Sequence, residues 1–351
     1  MKQHSIGRRD FLGAVGGAGL ISQFGLGAGL GLAARGAIGQ ESITGRASII
    51  SGRGTELVLL GTQGGPNFRP ERKECSTAVA VDGQIYLVDC GYGALGRIGE
   101  AGLNHREIAQ IFLTHLHDDH TSDVAALLSH QWTGGRIEPT EVIGPYGTER
   151  LVNAAIDYFS ANTEMRLADE DRSLLPADLF SGRDIEATTT PTQVFADDRV
   201  VVSSVENTHF PETAKAKVPY RAVSYRLDSR DRSITISGDT AYSDNLIELA
   251  KGSDIFVCEM IETTTTRANF ERRVAAGAYA ENPEGVWKHI IETHSTPADV
   301  GRMAQAAGVA TLVLTHILPG AMLDVPENLY IDPVREHFDG EIILGEDLMV
   351  I

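Results

Sequence analysis

The chain has 351 residues, 42% of them hydrophobic, and a formal net charge of −18. This length and hydrophobic share suffice for one domain of about 300 residues with a substantial core, typical of an α/β enzyme. The acidic balance repels phosphate backbones, so no long nucleic-acid partner is expected. Three cysteines are too few for a disulfide framework.

Residues 1–40 have the features of an export signal and linker. A twin arginine at 8–9 precedes a Phe-Leu pair, and the glycine-rich run 11–34 carries no charge. The pattern predicts export by the twin-arginine translocation machinery to the periplasm or the medium. The run is also long enough to span a membrane, so an uncleaved leader that anchors the protein is the alternative. The folded domain is predicted to cover residues 50–351.

The first part of this domain has the pattern of strands. Residues 56–60 are apolar and lead into a glycine-rich turn, and Asp82-Gly83 between two apolar stretches predicts a hairpin with a two-residue turn. In that register Cys75 faces Cys90 as a hydrogen-bonded pair, a poor geometry for a disulfide. Two buried free thiols are expected, with a disulfide as the alternative.

The segment 114–120, which reads Thr-His-Leu-His-Asp-Asp-His, carries four potential metal ligands directly after an apolar stretch. Side chains alternate along a strand, so the strand must break into a loop for these groups to converge. His115 and His117 are then expected on one metal, and Asp119 and His120 on a second. Imidazoles and a carboxylate suit Zn²⁺ or a similar divalent ion. A solvated polar loop is the alternative.

The chain then alternates between helix and strand patterns. Apolar spacing predicts helices at 123–131, 147–159 and 243–250, whereas the polar segment 160–198 is expected to be irregular. The stretch 263–292 is insertion-like, contains Phe, Tyr and Trp, and is expected to cover the site.

Three later strand-like segments each precede a further candidate ligand. Ligands at strand ends meet on one rim of a sheet, which is where sheet-based sites are built. Each candidate alone would more often be structural, but the set indicates that the metal site is completed there. The segments and candidates are 200–205 with His209, 233–237 with Asp239, and 311–315 with His316.

These motifs make the chain resemble the metallo-β-lactamase superfamily, in the branch of ribonuclease Z and similar phosphodiesterases and arylsulfatases. The resemblance implies a four-layer αββα sandwich of the α/β class and two Zn²⁺ or other divalent transition-metal ions. The matching stretches are 60–66, 88–93, 112–120, 238–240 (Gly-Asp-Thr), 294–296 (His-Ser-Thr) and 314–316.

The same resemblance implies how the ligands are shared and which residues act on the substrate. The ligand sets are His115, His117 and His209 for one metal, Asp119, His120 and His316 for the other, and Asp239 as the bridge. A hydroxide held between the metals would attack the substrate, and His294 would protonate the leaving oxygen. Glu259 would be the partner of His294, and Asp119 is counted with both as catalytic. Alternatively, His294 only caps the helix that begins at Thr296.

The function expected from this pattern is an exported dinuclear hydrolase of a small anionic or ester substrate, such as a phosphodiester or sulfate ester. Ribonuclease Z, which processes the 3′ end of transfer RNA, is one alternative, although the export signal, the acidic charge and the lack of a glycine- and proline-rich arm oppose it. A lactone hydrolase and a non-catalytic metal-stabilised binding protein are further alternatives. The sequence is also compatible with a homodimer.

Overall fold

Two β-sheets packed face to face form the centre of the protein. The computed structural model describes residues 46–66, 70–320 and 325–351. The first sheet has the strand order β1-β2-β3-β4-β5-β6, and the second has the order β13-β12-β11-β10-β9-β8-β7. The strands are β1 (Thr55–Gly61), β2 (Ser76–Val81), β3 (Gln84–Val88), β4 (Gln110–Phe112), β5 (Thr140–Pro145), β6 (Phe180–Ile185), β7 (Thr192–Ala196), β8 (Val200–Glu206), β9 (Val223–Ser229), β10 (Ser233–Ile236), β11 (Ile255–Ile261), β12 (Thr311–Leu318) and β13 (Glu341–Leu344).

The helices lie between these strands in the chain. They are α1 (Ala94–Glu100), α2 (Asp118–Thr121), α3 (Val124–Thr133), α4 (Thr148–Tyr158), α5 (Ser160–Asp169), α6 (Pro176–Leu179), α7 (Glu212–Lys215), α8 (Asp244–Ala250), α9 (Thr263–Ala275), α10 (Pro283–Thr293), α11 (Pro297–Ala307) and α12 (Asn328–Arg335), with a short 3-10 helix at His105–Glu107.

Alternating side chains on the strands create the layers. In β1, Val58 and Leu60 pack outward in a core with α1, α3 and α4, whereas Leu57 and Leu59 pack inward against the second sheet. A third core joins the outer face of the second sheet to α8, α11 and α12. Each fully buried aliphatic side chain contributes about 1.5–3 kcal/mol to folding. The order helix, sheet, sheet, helix confirms the predicted four-layer αββα sandwich.

Local signals in the sequence place several elements correctly. Val81 pairs with Gln84 across the predicted two-residue turn. Cys75 and Cys90 are buried free thiols, as expected. Helix α11 begins at the predicted N-cap, Thr296, whose hydroxyl accepts a hydrogen bond from the backbone N–H of Asp299.

The prediction of an irregular segment at 160–198 is wrong. This segment contains α5, α6 and the two edge strands β6 and β7. Strand β7 is exposed or half-buried along its length, so it lacks the alternation between apolar and polar residues that marks a half-buried strand. Pairing with β8 stabilises β7 instead.

The predicted export signal at 1–40 lies outside the described residues, and the domain boundary at residue 50 stays a prediction. Among the described residues, no helix is long and apolar enough to cross a membrane.

Candidate active site

Seven predicted metal ligands converge where strands of both sheets end. Their ligand atoms form two groups, and within each group the atoms lie no more than 4.8 Å apart. Asp239 belongs to both groups. The first cluster is His115, His117, His209 and Asp239, and the second cluster is Asp119, His120, His316 and Asp239.

The two carboxylate oxygens of Asp239 face different clusters. Oδ2 lies 3.8 Å from Nε2 of His115, whereas Oδ1 lies 3.1 Å from Nε2 of His120 and 3.2 Å from Nε2 of His316. Asp119 joins the second cluster, with Oδ2 3.3 Å from Nε2 of His316. The geometry is therefore that of a carboxylate shared between two adjacent clusters, and its role as a metal bridge stays a prediction.

The clusters fit divalent cations because they contain buried polar atoms that need a partner. Within the described part of the chain, Nε2 of His115, Nε2 of His120 and Oδ1 of Asp239 accept or donate no hydrogen bond. Leaving such a group unsatisfied in the interior costs about 1–3 kcal/mol. Metal ions held in the two clusters would satisfy all three, and this donor set suits Zn²⁺.

The protonation of the histidines differs between the clusters. Burial lowers the pKa of His115 and His209 well below its ordinary value, which leaves the neutral imidazoles that a metal requires. Burial acts in the same direction on His120 and His316, but the Asp239 carboxylate and its acidic neighbours outweigh it and raise the pKa of both. A proton and a metal ion therefore compete for the second cluster, so metal binding there should weaken at low pH.

Residues behind the ligands hold the imidazoles in the required orientation. Asp89 accepts hydrogen bonds from His120 Nδ1 at 2.8 Å and from the backbone N–H and hydroxyl of Thr114. His209 Nδ1 donates to the carbonyl of Thr293 at 3.1 Å. In both histidines Nε2 is thereby directed at the clusters. Asp89 lies in the matched stretch 88–93 but was given no role from sequence, although a carboxylate directly after a buried strand is a signal for one.

The backbone adopts unusual conformations where it presents two of the ligands. Gly238 has φ of 59°, and a Cβ on it would lie 2.6 Å from Cβ of Thr114, so a side chain cannot be accommodated before Asp239. His316 has φ of 46° and lies at a break in register between β11 and β12. Bulges of this kind redirect side chains near active sites.

His294 faces the clusters and forms a buried pair with Glu259. Its Nδ1 lies 2.9 Å from Glu259 Oε1, and its ring stacks on His316 with centroids 5.6 Å apart. Burial alone would lower the pKa of His294, but Glu259 raises it to about 9, so the ring is an imidazolium at neutral pH. The alternative that His294 caps α11 is wrong, because Thr296 and Asp299 make that cap. The role of general acid stays a prediction.

Replacing Glu259 by glutamine tests this pairing. Activity that needs protonated His294 is lost as the pH rises through its pKa, and removing the carboxylate lowers that pKa. We expect the alkaline limb of the pH–rate profile to move to lower pH. A profile of kcat/KM with an unchanged alkaline limb would contradict the pairing.

The site also contains His289, which sequence reasoning missed. It lies on α10, with its ring centroid 5.4 Å from that of His209 and 5.8 Å from that of His117. Desolvation lowers its pKa to about 4, although the residue as a whole is exposed. The sequence offered one indication of its role, because His289 lies only five residues before His294. Unlike most of the candidate ligands, however, His289 does not follow a strand.

A cavity of about 280 Å³ opens beside both clusters. The clusters and His294 form its polar side, and α9 and α10 form the opposite side. The segment 263–292 therefore covers this side of the site, as the sequence predicted. The lining residues are Gly65, Pro66, His117, Asp118, Asp119, Asp239, Thr266, Asn269, Phe270, Arg273, Tyr279, Val286, His289, Ile290, His294 and Leu318.

Comparison with known proteins places the chain in a family. The profile described as "Beta-lactamase superfamily domain" matches residues 85–317. Ribonuclease Z of Mycobacterium bovis is 31% identical over 297 residues, covering 84% of this chain and 96% of that protein, and ribonuclease Z of Mycobacterium marinum matches to the same extent. The chain belongs to the metallo-β-lactamase superfamily and has ribonuclease Z relatives.

Solved structures agree on the fold. Human tRNase Z, short form, has a TM-score of 0.57 at 21% identity, covering 84% of this chain and 98% of that one. The metallo-β-lactamase fold protein YhfI of Bacillus subtilis has a TM-score of 0.57 at 17% identity, covering 85% and 98%. The predicted family is thus confirmed, and the protein is a metallo-β-lactamase-type hydrolase. The relatives favour the ribonuclease Z alternative over the exported small-ester hydrolase.

Proposed function

We propose that this protein hydrolyses phosphodiester bonds as a ribonuclease Z-type enzyme with two Zn²⁺ ions. The observation that carries the proposal is the buried His294–Glu259 pair beside two ligand clusters that share Asp239. The ribonuclease Z relatives, which match nearly the full domain, support the same assignment. Bound ions would supply Lewis-acid stabilisation of phosphoryl oxygens and a water of lowered pKa.

The chain's own residues account for the remaining steps. His115, His117 and His209 would hold one ion, and the second cluster would hold the other, with Asp239 setting their separation. His294 donates its Nε2 proton to the oxygen that leaves the phosphorus. Glu259 keeps His294 charged and fixes the orientation of its ring, and is itself fixed by the backbone N–H of Thr240 at 2.7 Å.

A small phosphodiester is the second candidate substrate. The cavity of about 280 Å³ is at the small end of the range for ligand pockets, and much of its wall is apolar. The formal charge of −18 also disfavours a long polyanion. Precursor transfer RNA and a small diester therefore both belong in the first test.

Zinc-loaded protein should be assayed against bis-p-nitrophenyl phosphate, precursor transfer RNA with a 3′ extension, an aryl sulfate and a lactone. We expect turnover of phosphodiesters that is lost with chelator and restored by zinc. Cleavage at the 3′ extension would assign transfer-RNA processing, whereas turnover of the diester alone would assign the small substrate. Hydrolysis of only the sulfate or the lactone would overturn the proposal.

We further propose that the twin arginine at 8–9 directs export to the periplasm or the medium. The uncharged, glycine-rich run that follows supports this proposal. Exported protein should be found outside the cytoplasm without its first forty or so residues, or membrane-bound if the leader is kept. Mass spectrometry that finds Met1 or its neighbours on soluble cytoplasmic protein only would count against export.

A further inference from the structure

Helices α9 and α10 form a hairpin that lies across the ligand clusters. Glu262 fixes its start by accepting hydrogen bonds from the backbone N–H groups of Thr264 and Thr265. Its end is fixed by Thr293, whose carbonyl accepts the hydrogen bond from His209. The hairpin is thus joined to the site at its C-terminal end.

An aromatic cluster holds the two helices together. The rings of Phe270 and Tyr279 stack with centroids 5.4 Å apart and an interplanar angle of 14°, and Trp287 packs on Phe270 at 5.4 Å. Arg273 lies over the Tyr279 ring, 5.1 Å from its centroid. Since Phe270, Tyr279 and Arg273 also line the cavity, an aromatic surface faces the clusters.

The cavity has two chemically different sides. His117, Asp119, Asp239 and His294 make one side polar, and that is where a phosphoryl group would be bound. The opposite side comes mainly from the hairpin and is largely apolar, although Thr266, Asn269, Arg273 and His289 are polar members of it. Its apolar and aromatic members are Pro66, Phe270, Tyr279, Val286, Ile290 and Leu318. A ligand that matches both sides has an anionic group joined directly to a flat apolar one.

We propose that the α9–α10 hairpin is the substrate-recognition element of the enzyme, and that its cavity receives one planar aromatic ring attached to the scissile phosphodiester. This inference rests on the proposed phosphodiesterase function and specifies its substrate class. The ring is a nucleobase if the substrate is RNA, and an aryl or nucleoside group if it is a small diester. Stacking of a base on aromatic side chains is sequence-tolerant, so the cavity selects a ring and not a particular base.

Competitive inhibition of the zinc-loaded protein measures the preference for a ring directly. Phenyl phosphate and methyl phosphate carry the same charge and differ in the ring, and their Kd values can also be measured by calorimetry, independently of turnover. We expect the Kd of phenyl phosphate to be at least about tenfold lower than that of methyl phosphate. Equal affinities would overturn the inference.

Filling the cavity should remove this preference. Ile290→Trp and Val286→Trp place an indole in the proposed ring site, and we expect phenyl phosphate to bind no better than methyl phosphate in either variant. Lys288→Trp is the matched control, since Lys288 lies on the same helix with 70% of its side chain exposed and does not line the cavity. Folding and zinc content are checked first, and a ring preference that survives in both folded variants would contradict the proposal.

Two further arms separate the possible outcomes. Adenosine monophosphate and a short RNA that compete more strongly than phenyl phosphate would identify the ring as a nucleobase, and weaker competition would identify a small aryl diester. Absence of a ring preference in the wild-type protein, with intact diester turnover, would refute the recognition role alone. A ring preference without any diester turnover would instead refute the proposed function.

Discussion

Replacement of Asp239 by alanine should have the largest effect of any single substitution. It removes the carboxylate shared by both clusters and leaves Nε2 of His115, His120 and His316 without their common neighbour. We expect metal binding to fall and kcat/KM to drop about 10³-fold or more, since Lewis-acid stabilisation is worth several kcal/mol and 1.36 kcal/mol is tenfold.

Asp118→Ala is the control for this variant. Asp118 is an exposed carboxylate next to Asp119 in sequence, but it belongs to neither cluster. Its metal content, measured by elemental analysis, should equal that of the wild type. Full metal content and full activity in Asp239→Ala would show that the bridging role is wrong.

Replacement of His294 by alanine should have the second largest effect, and the effect should depend on the leaving group. A general acid contributes about 10²–10⁴-fold when the leaving oxygen is strongly basic. Diesters that release an alkoxide should therefore lose this factor, whereas those that release nitrophenolate should lose far less. Metal content should not change, because His294 belongs to neither of the two clusters that contain Asp239.

A leaving-group series measured on the variant and on the wild type checks this expectation. The logarithm of kcat/KM plotted against the pKa of the leaving group should have a steeper negative slope for the variant than for the wild type. Parallel lines together with a lowered melting temperature would identify His294 as a structural residue.

The elements predicted correctly from sequence are those with strong local signals. The Asp82-Gly83 turn needs positive φ at both residues, and both have it. Helix α11 has a clear capping residue at each end, with Thr296 as the N-cap and the left-handed Gly308 as the C-cap. Most of the candidate ligands also followed a local rule, because they come shortly after a strand end, whereas His316 lies within β12. How they are shared came only from the family resemblance, since it depends on how two sheets pack together.

The features missed from sequence depend on tertiary contacts. Strands β6 and β7 lie at sheet edges, and their polar composition resembles that of a loop. The orientation of His316 comes from its register against β11, which no local pattern encodes. Asp89 and His289 lie beside the candidate ligands, and no local pattern in the sequence distinguishes such neighbouring residues.

The central claim is that two metal ions held by the two clusters make this protein a phosphodiesterase. Zinc titration of metal-free protein, with bis-p-nitrophenyl phosphate turnover and bound metal followed together, tests it most directly. We expect turnover to be absent at the start, to rise with added zinc and to level off at two bound ions per chain. Full turnover in excess chelator, or saturation with two ions without any turnover, would contradict the claim.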